Sequence, residues 1–596
     1  MDGILQDVKY GWRMLWKNPA FTAIAVIVIA LGIGANTAIF SLVDAVLLRP
    51  LPFADPDRLL VIWEDASFMG FPRNTPAPAN FVDWKKENGV FSDMAALADR
   101  GLNLTGDGNP EKLDGYAASW NVFTILGVKP MLGRTFLPEE DGPGGQKVVL
   151  IGYGLWLRRF GGDAALVGRE VRLNDEKYRV IGVMPPGFHI AFEGKDSEVW
   201  VPLAFGEEQW AQRGSHFLYV IARLNRGVSL QEARADMNVI MHRLAREYPD
   251  SNRDMGARVE TLKEQSVGEV RRGLLVLLIA VACVLLIACA NVANLLLSRT
   301  TGRNREIAVR TALGAGGFRV ARQLLTENLM LAGVGGLFGV ALAWWSFAFL
   351  QQLIPADLAL AAALRLDVRV LVFTLVATVA TGLLFGLAPV RQSVRLNLNE
   401  ALKEGGARAG FGRSHMRNFL VLSEVALSFI LLVGAVLLIR SFVNLRWIDP
   451  GFQSKGVLTL HVALSPSKYR DASKRAAFFD QALDKLRSLP GVKGLAFTSA
   501  LPLVWKGGSS SFVVEGRPRP TDTLPYDAND RVVSPRYMQV IGMKLRMGRF
   551  FEETDGPQSQ PVAIINETMA GCTSPMITRS VNASNTASTI HCSRGS

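Results

Sequence analysis

The side chains that most often carry out chemistry are not grouped in this sequence. The six histidines are scattered, without the spacing that zinc ligands need. Cys283 and Cys289 lie in an apolar stretch, Cys572 and Cys592 lie near the end of the sequence, and no CxxC pair occurs. The pair Glu139–Glu140 lies in Pro- and Gly-rich sequence, which indicates a solvated turn. With no GxSxG or HExxH motif either, we expect no catalytic residue, no metal site and no cofactor, and therefore not an enzyme.

Phosphate binding is the next chemistry to consider. A phosphate loop needs GxxxxGK[ST], and the 596 residues do not contain it. The GAGG run at 314–317 is too short and lacks the lysine. Any ATP hydrolysis linked to this chain is therefore expected on a separate subunit.

Five long apolar stretches account for much of the composition, in which 49% of the residues are hydrophobic. Each is long enough to cross the ~30 Å hydrocarbon core as a helix. The predicted spans are 20–48, 274–297, 329–350, 370–390 and 419–440. The first would extend about 44 Å as a helix, so its far end is expected to project as a stalk. It is too long, and lacks the cleavage site, for a signal peptide. The sequence predicts a multi-pass α-helical membrane protein.

Basic residues beside these stretches indicate an orientation. A net charge of +12 would suggest a nucleic-acid partner in a soluble protein, but here the positive-inside rule explains it and we expect no nucleic acid. Three basic segments can face the cytoplasm together: Lys9, Arg13 and Lys17; Arg299, Arg303, Arg305, Arg310, Arg319 and Arg322; and Arg391, Arg395, Lys403, Arg408, Arg413 and Arg417. The N-terminal segment 1–19 and the linker 392–418 are then cytoplasmic, and 49–272 and the residues after 441 are extracytoplasmic.

The region 49–272 has the pattern of an extracytoplasmic α/β domain. Runs rich in β-branched and aromatic residues predict strands at 59–64, 147–151, 177–184 and 217–224. Ser229 and Glu232 form a capping box, which predicts the start of a helix. Apolar residues at helical spacing are expected to place one side of this helix in a core: Leu230, Ala233, Met237, Ile240, Met241 and Leu244.

Part of this region is repeated after the fifth span. LGVKPMLGRTF at 126–136 matches IGMKLRMGRFF at 541–551, and Ser119 matches Ser534 at the same offset. EEDGP at 139–143 matches EETDGP at 552–557 with one inserted residue. The repeat predicts a partial second core domain at 441–570. Our hypothesis for the Ser-, Thr- and Asn-rich remainder, 571–596, is a frameshift or an incomplete gene model; the alternative is a natural disordered tail.

The segment 304–345 combines arginines with an apolar stripe and runs directly into a span. Such a segment can lie on the membrane surface or dock into a partner protein, and the surface location is the more common. REIAVRTALGA at 305–315 and RQLLTENLMLAGVGGLFG at 322–339 resemble the FtsX-like permease domain of MacB-type ABC transporters, here at 273–391. The stretch 17–53 is similar to the first span of these families, most closely the duplicated permeases of acidobacteria, and 49–272 resembles the MacB-like periplasmic core domain.

The resemblance implies a permease subunit in the bacterial plasma (inner) membrane. A separate ABC ATPase would bind the cytoplasmic segment, and its ATP hydrolysis would move the stalk helices and periplasmic domains for export or mechanotransmission. The resemblance assigns ATPase coupling to six residues: Arg305, Glu306, Ile307, Arg310, Leu313 and Gly314. It also implies a dimer or pseudo-dimer and a periplasmic partner. Duplicated permeases have two sets of four spans, so five spans imply a C-terminally truncated chain.

Small and polar residues within the spans predict close helix packing. Gly335 and Gly339 are four residues apart, as are Gly382 and Gly386, although glycine is also common in membrane helices generally. Three amides at membrane depth are expected to form interhelical hydrogen bonds rather than a substrate path: Asn36, Asn291 and Asn294. The alternatives to a working permease are a membrane-anchored scaffold without an ATPase, an inactive truncated permease, and an enzyme with an extracytoplasmic site.

Overall fold

A computed structural model of the chain describes residues 2–106, 108–190, 192, 197–312, 317–353, 366–394, 411–465, 468–504, 508–512, 526–556 and 558–573. The chain forms two compact units, each built from two stretches of sequence. We call residues 1–50 and 267–448 the helical unit, and residues 51–266 and 449–596 the α/β unit.

The described α-helices and β-strands alternate through the first α/β stretch, whereas long helices make up the helical unit. The helices are α1 Asp2–Lys17, α2 Pro19–Val43, α3 Pro78–Glu87, α4 Val122–Leu126, α5 Tyr153–Phe160, α6 Glu207–Trp210, α7 Leu230–Glu247, α8 Pro249–Asn252, α9 Leu262–Ala312, α10 Gly317–Leu353, α11 Val368–Val394, α12 Phe411–Trp447, α13 Ala472–Arg487, α14 Tyr537–Val540 and α15 Glu567–Thr573. The strands are β1 Leu59–Ala66, β2 Phe71–Asn74, β3 Phe91–Asp99, β4 Leu102–Thr105, β5 Glu111–Leu113, β6 Gly115–Ala118, β7 Leu132–Gly133, β8 Val148–Ile151, β9 Glu170–Leu173, β10 Glu176–Val183, β11 Val199–Pro202, β12 Leu218–Leu224, β13 Gly256–Thr261, β14 Gly508–Phe512 and β15 Tyr526–Asp530.

Five of the described helices are long and apolar enough to cross a membrane. The candidate spans are Pro19–Leu48, Val270–Leu297, Phe318–Phe347, Val368–Gly386 and Arg417–Trp447, on α2, α9, α10, α11 and α12. The first is α-helical to Val43 and continues as a π-helical turn, Asp44–Leu48. The fold class expected from the sequence, apolar helices combined with an α/β domain, is confirmed.

The first four candidate spans pack around a shared apolar core. Its buried members come from each of these helices: Ile29, Ile33, Val292, Leu331 and Phe385. The span on α12 differs, because none of its apolar window is buried within the described structure. The buried apolar core of the helical unit is therefore formed by α2, α9, α10 and α11. The apolar window of α12 is not buried in it.

The α/β unit is built on a mixed sheet of thirteen described strands. Hydrogen-bonded strands follow the order β13-β1-β12-β3-β6-β11-β8-β10-β9-β4-β5, with β2 beside β1 and β7 beside β10. Alternate residues of β1 enter two cores, one with Leu60 on the α3 and α7 side and one with Val61 among aromatic rings. The four strands predicted from the sequence are confirmed as β1, β8, β10 and β12.

Helix α7 begins as its sequence predicts. The hydroxyl of Ser229 accepts a hydrogen bond from the N–H of Glu232 (3.2 Å), and the Glu232 carboxylate accepts one from the N–H of Ser229 (2.7 Å). The predicted stripe is confirmed as core, because Ala233, Met237 and Met241 are buried.

The repeated motif forms the same ion pair in both copies. Arg134 donates to both carboxylate oxygens of Glu140 (2.9 and 2.6 Å), and Arg549 donates to both oxygens of Asp555 (2.7 Å each). The one-residue insertion predicted between these motifs is therefore not seen at the carboxylate. Asp555 takes the place of Glu140 without an insertion, because the carboxylate must reach the arginine six residues before it.

The repeated serines also have equivalent contacts. Ser119 Oγ accepts a hydrogen bond from the N–H of Ala96 (3.0 Å), and Ser534 Oγ accepts one from the N–H of Phe497 (2.9 Å). In each copy the serine N–H donates back to the carbonyl of the same residue (2.9 and 3.0 Å). Sequence similarity and local geometry thus agree that this motif is duplicated.

The second copy does not build a comparable sheet among the described residues. The apolar run 457–464 forms no strand, and Leu458 and Leu460 are exposed. The run 561–566 forms no strand either. In the first copy, β1 and β8 are each paired with strands on both sides, which satisfy their backbone groups. The assignment of 441–570 as a partial core domain stays a proposal.

Candidate functional site

Helix α9 joins the α/β sheet to the segment with the proposed coupling role. It is one helix of 51 residues, about 77 Å long at ~1.5 Å per residue, and it begins directly after β13. Arg305, Glu306, Ile307 and Arg310 lie on its last turns, whereas Leu313 and Gly314 lie outside the described residues. The helix continues beyond 297, the predicted end of the second span, because REIAVRTA consists mainly of residues with good helix propensity.

The predicted packing glycines of α10 lie where this helix meets α2. A Cβ on Gly335 would lie 2.5 Å from Cγ2 of Ile29. A Cβ on Gly339 would lie 3.1 Å from both the carbonyl oxygen of Ala30 and the N atom of Gly34. The two backbones therefore approach closely at Gly34 and Gly339, where any larger side chain has little space.

The predicted glycines of α11 also lie at a contact with α10. A Cβ on Gly382 would lie 3.0 Å from Cδ2 of Leu329 and 3.1 Å from Cβ of Ala332. A Cβ on Gly386 would lie 3.0 Å from Nδ2 of Asn328. All four glycines therefore lie on contacts of α10, which packs against both α2 and α11.

Polar side chains also link the candidate spans to one another. The amide of Asn36 on α2 donates a hydrogen bond to the carbonyl of Val281 on α9 (2.8 Å), which confirms the interhelical bond expected for this residue. The hydroxyls of Thr37 on α2 and Thr374 on α11 are 3.0 Å apart. Helix α2 is thus bonded to both α9 and α11.

An ion cluster that sequence reasoning missed ties the end of α2 to the start of α11. Buried Asp44 accepts a hydrogen bond from Arg49 Nε (2.9 Å), and Arg49 Nη2 also pairs with Asp367 (2.9 Å). Arg369 Nη1 lies 3.8 Å from the other oxygen of Asp44. A hydrogen bond from the N–H of Val370, together with the charge of Arg49, lowers the pKa of Asp367. The signal available in the sequence was an aspartate inside an otherwise apolar stretch.

Apolar contacts complete this joint. Val43 and Val46 at the end of α2 are buried in one cluster with Val267 and Leu274 near the start of α9. The π-helical turn lies within the same region of the chain. The end of α2 therefore contacts α9 through this apolar cluster and α11 through the ion pairs.

The α/β unit contains a buried polar cluster that sequence reasoning also missed. Oε1 of Glu64 accepts hydrogen bonds from the N–H of Ala77 (2.9 Å) and the amide of Asn80 (2.7 Å). His216 Nδ1 lies 2.6 Å from the other oxygen. These contacts hold β1 against α3, a structural role. Within the described ranges, no group of three His, Cys, Asp or Glu residues could hold a metal ion.

Two family models match the chain. The MacB-like periplasmic core domain matches residues 22–240, and the FtsX-like permease C-terminal domain matches residues 278–398. The second match includes the last turns of α9 and all of α10, so it covers the proposed coupling segment.

Curated relatives carry ABC exporter names. The chain is 24% identical over 416 residues to the pyoverdine export ATP-binding/permease protein PvdT of Pseudomonas entomophila, covering 67% of this chain and 60% of the relative. It is 26% identical over 413 residues to the macrolide export ATP-binding/permease protein MacB of Azoarcus sp., covering 67% and 59%. The chain thus spans about 60% of the length of these relatives. The solved periplasmic region of MacB from Actinobacillus actinomycetemcomitans matches with 13% identity and a TM-score of 0.28, covering 36% of this chain and 94% of that one.

Proposed function

We propose that the chain, which matches the MacB-like periplasmic core domain and the FtsX-like permease domain, is the membrane subunit of an ATP-driven ABC system. ATP would be hydrolysed by a separate ATP-binding protein, since the 596 residues contain no phosphate loop. The relatives are named as exporters of pyoverdine or of macrolides. These names support export rather than uptake for this chain.

The observation that carries the proposal is the continuity of α9. A single helix, Leu262–Ala312, follows β13 directly and contains a candidate span. We assign contact with the ATPase to Arg305, Glu306, Ile307, Arg310, Leu313 and Gly314. Movement of α9 would be passed to the end of α2 through the apolar cluster of Val46 and Val267, and from there to α11 through the ion pairs of Arg49.

The topology follows from the positive-inside rule. We place the N-terminus and the coupling segment in the cytoplasm, the α/β unit outside, and the chain in the bacterial inner membrane. The four glycines on α10 and α11 serve as packing sites in this proposal. The repeated motif supports a pseudo-dimer or a dimer, and the external position of the α/β unit leaves it accessible to a periplasmic partner.

Capture of the ATPase tests the proposal. Tagged full-length chain is purified in mild detergent from its native membranes, and the eluate is assayed for ATP hydrolysis and for a co-purifying protein with a phosphate loop. Arg305→Glu/Arg310→Glu is compared with Arg271→Glu/Arg272→Glu. The second pair makes the same charge change at the opposite end of α9, where both arginines are exposed.

We expect the unmodified chain and the Arg271/Arg272 variant to retain an ATPase, and the Arg305/Arg310 variant to lose it. Equal loss in both variants would contradict the location of the contact. Absence of an ATPase from every form would favour a scaffold or an inactive permease instead.

A further inference from the structure

Residues four apart lie on the same side of a helix, and grouped in this way the residues of α1 form three faces. One face packs on α10. Asp7 pairs with Arg322 (2.9 Å), and a Cβ on Gly11 would lie 2.9 Å from Sδ of Met330. These contacts fix the rotation of α1 about its own axis, and therefore where its other two faces point.

The other two faces of α1 are exposed and have different chemistry. The apolar face has exposed fractions of 39%, 52% and 73% at Val8, Trp12 and Trp16. The basic face follows one residue later, about 100° around the helix, and consists of Lys9, Arg13 and Lys17, all exposed. Tryptophan beside lysine and arginine is typical of a helix that lies in the membrane interface.

The apolar face of α1 opens onto a groove of about 600 Å³ between α1, α2 and α10. Its wall on α2 runs from Pro19 to Leu31, a rise of about 18 Å, which is close to one leaflet of the ~30 Å hydrocarbon core. Phe338 contributes from α10. The hydroxyl of Thr22 in the wall already donates to the carbonyl of Leu15 (2.9 Å), so it does not require a polar ligand.

We propose that α1 and this groove bind one anionic phospholipid of the leaflet that α1 faces. The phosphate is held by Lys9, Arg13 and Lys17, and one acyl chain lies along α2 between Trp12 and Phe338. The combination selects the ligand. A hydrophobic helix would fill the groove without using the basic face, and an acidic protein would bind the basic face without using the groove.

Native mass spectrometry of the purified full-length chain tests this site. The probes are dioleoyl-phosphatidylglycerol and dioleoyl-phosphatidylcholine, which share their acyl chains and differ in head-group charge. Removal of each basic residue should weaken binding of the anionic lipid about fivefold, and removal of all three on the order of a hundredfold. K9Q/R13Q/K17Q is compared with R417Q/R440Q/R446Q, which removes three exposed charges from α12.

A second variant, Ala23→Phe, fills the groove at an exposed position of its wall and leaves the charges intact. We expect wild type and the α12 control to prefer phosphatidylglycerol, the α1 triple variant to lose that preference, and Ala23→Phe to weaken binding of both lipids. Equal losses in the two triple variants would overturn the basic site. Unchanged lipid binding in Ala23→Phe, or competition by glycerophosphoglycerol as strong as by the intact lipid, would overturn the groove.

Discussion

Alanine at Gly335 should weaken the contact between α2 and α10. A Cβ there would lie 2.5 Å from Cγ2 and 2.8 Å from Cβ of Ile29, so one helix must shift. Overpacking of this kind costs ~1–3 kcal/mol. Gly333 on the same helix is a matched control, because a Cβ at that position meets nothing within 4 Å.

Helix propensity acts equally on both substitutions and favours alanine over glycine by about 1 kcal/mol. Gly333→Ala is therefore expected to raise the free energy of unfolding by up to about 1 kcal/mol, whereas Gly335→Ala changes it by about 0 to −2 kcal/mol. Unfolding of the purified full-length chain by dodecyl sulfate in mixed micelles measures both values. Ile29→Ala should cost less in the Gly335→Ala background than in the unmodified chain, since it removes the clashing Cγ2. Equal stability of the two glycine variants would refute the packing argument.

Three further predictions concern the joint, the repeat and the α7 cap. Asp44→Asn should lower the free energy of unfolding by less than the ~3–5 kcal/mol of a fully buried pair, since Arg49 is 26% exposed and keeps a second partner; an unchanged value in the same titration would contradict this. Hydrogen bonding from its arginine lowers the pKa of Asp555 from 3.8 to about 2, so this pair stabilises the folded state above pH 3.8 and the contribution disappears as the pH falls through 2. The protection of the turn amides, measured as hydrogen exchange relative to the intrinsic rate at each pH, should fall across that window, and Asp555→Asn should abolish this change. Ser229→Ala should cost ~1 kcal/mol in chemical unfolding while Ser229→Thr costs less, because only threonine keeps the hydroxyl acceptor.

Local interactions explain why much of the fold was predictable. The α7 start depends on Ser229 and Glu232, which are three residues apart, and β1 and β12 are continuous apolar runs of the kind that a doubly buried strand requires. The candidate membrane-spanning helices were predictable because their apolar stretches are long enough to cross the hydrocarbon core. The spacing of Gly335 and Gly339 indicated a packing surface, but it did not identify α2 as the neighbour.

The features that escaped prediction depend on residues distant in sequence. Asp44 pairs with Arg49, which is near it in sequence, but the other members of the cluster, Asp367 and Arg369, lie more than 300 positions away. The sequence therefore shows the buried aspartate but not the cluster that it joins. Glu64 is held by Ala77 and Asn80 in a buried cluster whose partners converge only in the folded sheet.

Nucleotide-dependent cross-linking between α9 and the end of α2 tests whether ATP hydrolysis by a partner moves α9 relative to α2. Cysteines replace Val46 and Val267, which share a buried cluster, in a chain whose native cysteines are changed to serine. Oxidative cross-linking is compared in native membrane vesicles with and without ATP plus vanadate, alone and combined with Arg305→Glu/Arg310→Glu. We expect nucleotide to lower the cross-linking yield and the arginine variant to abolish this difference. An equal yield with and without nucleotide, in vesicles where the ATPase co-purifies with the chain, would contradict it.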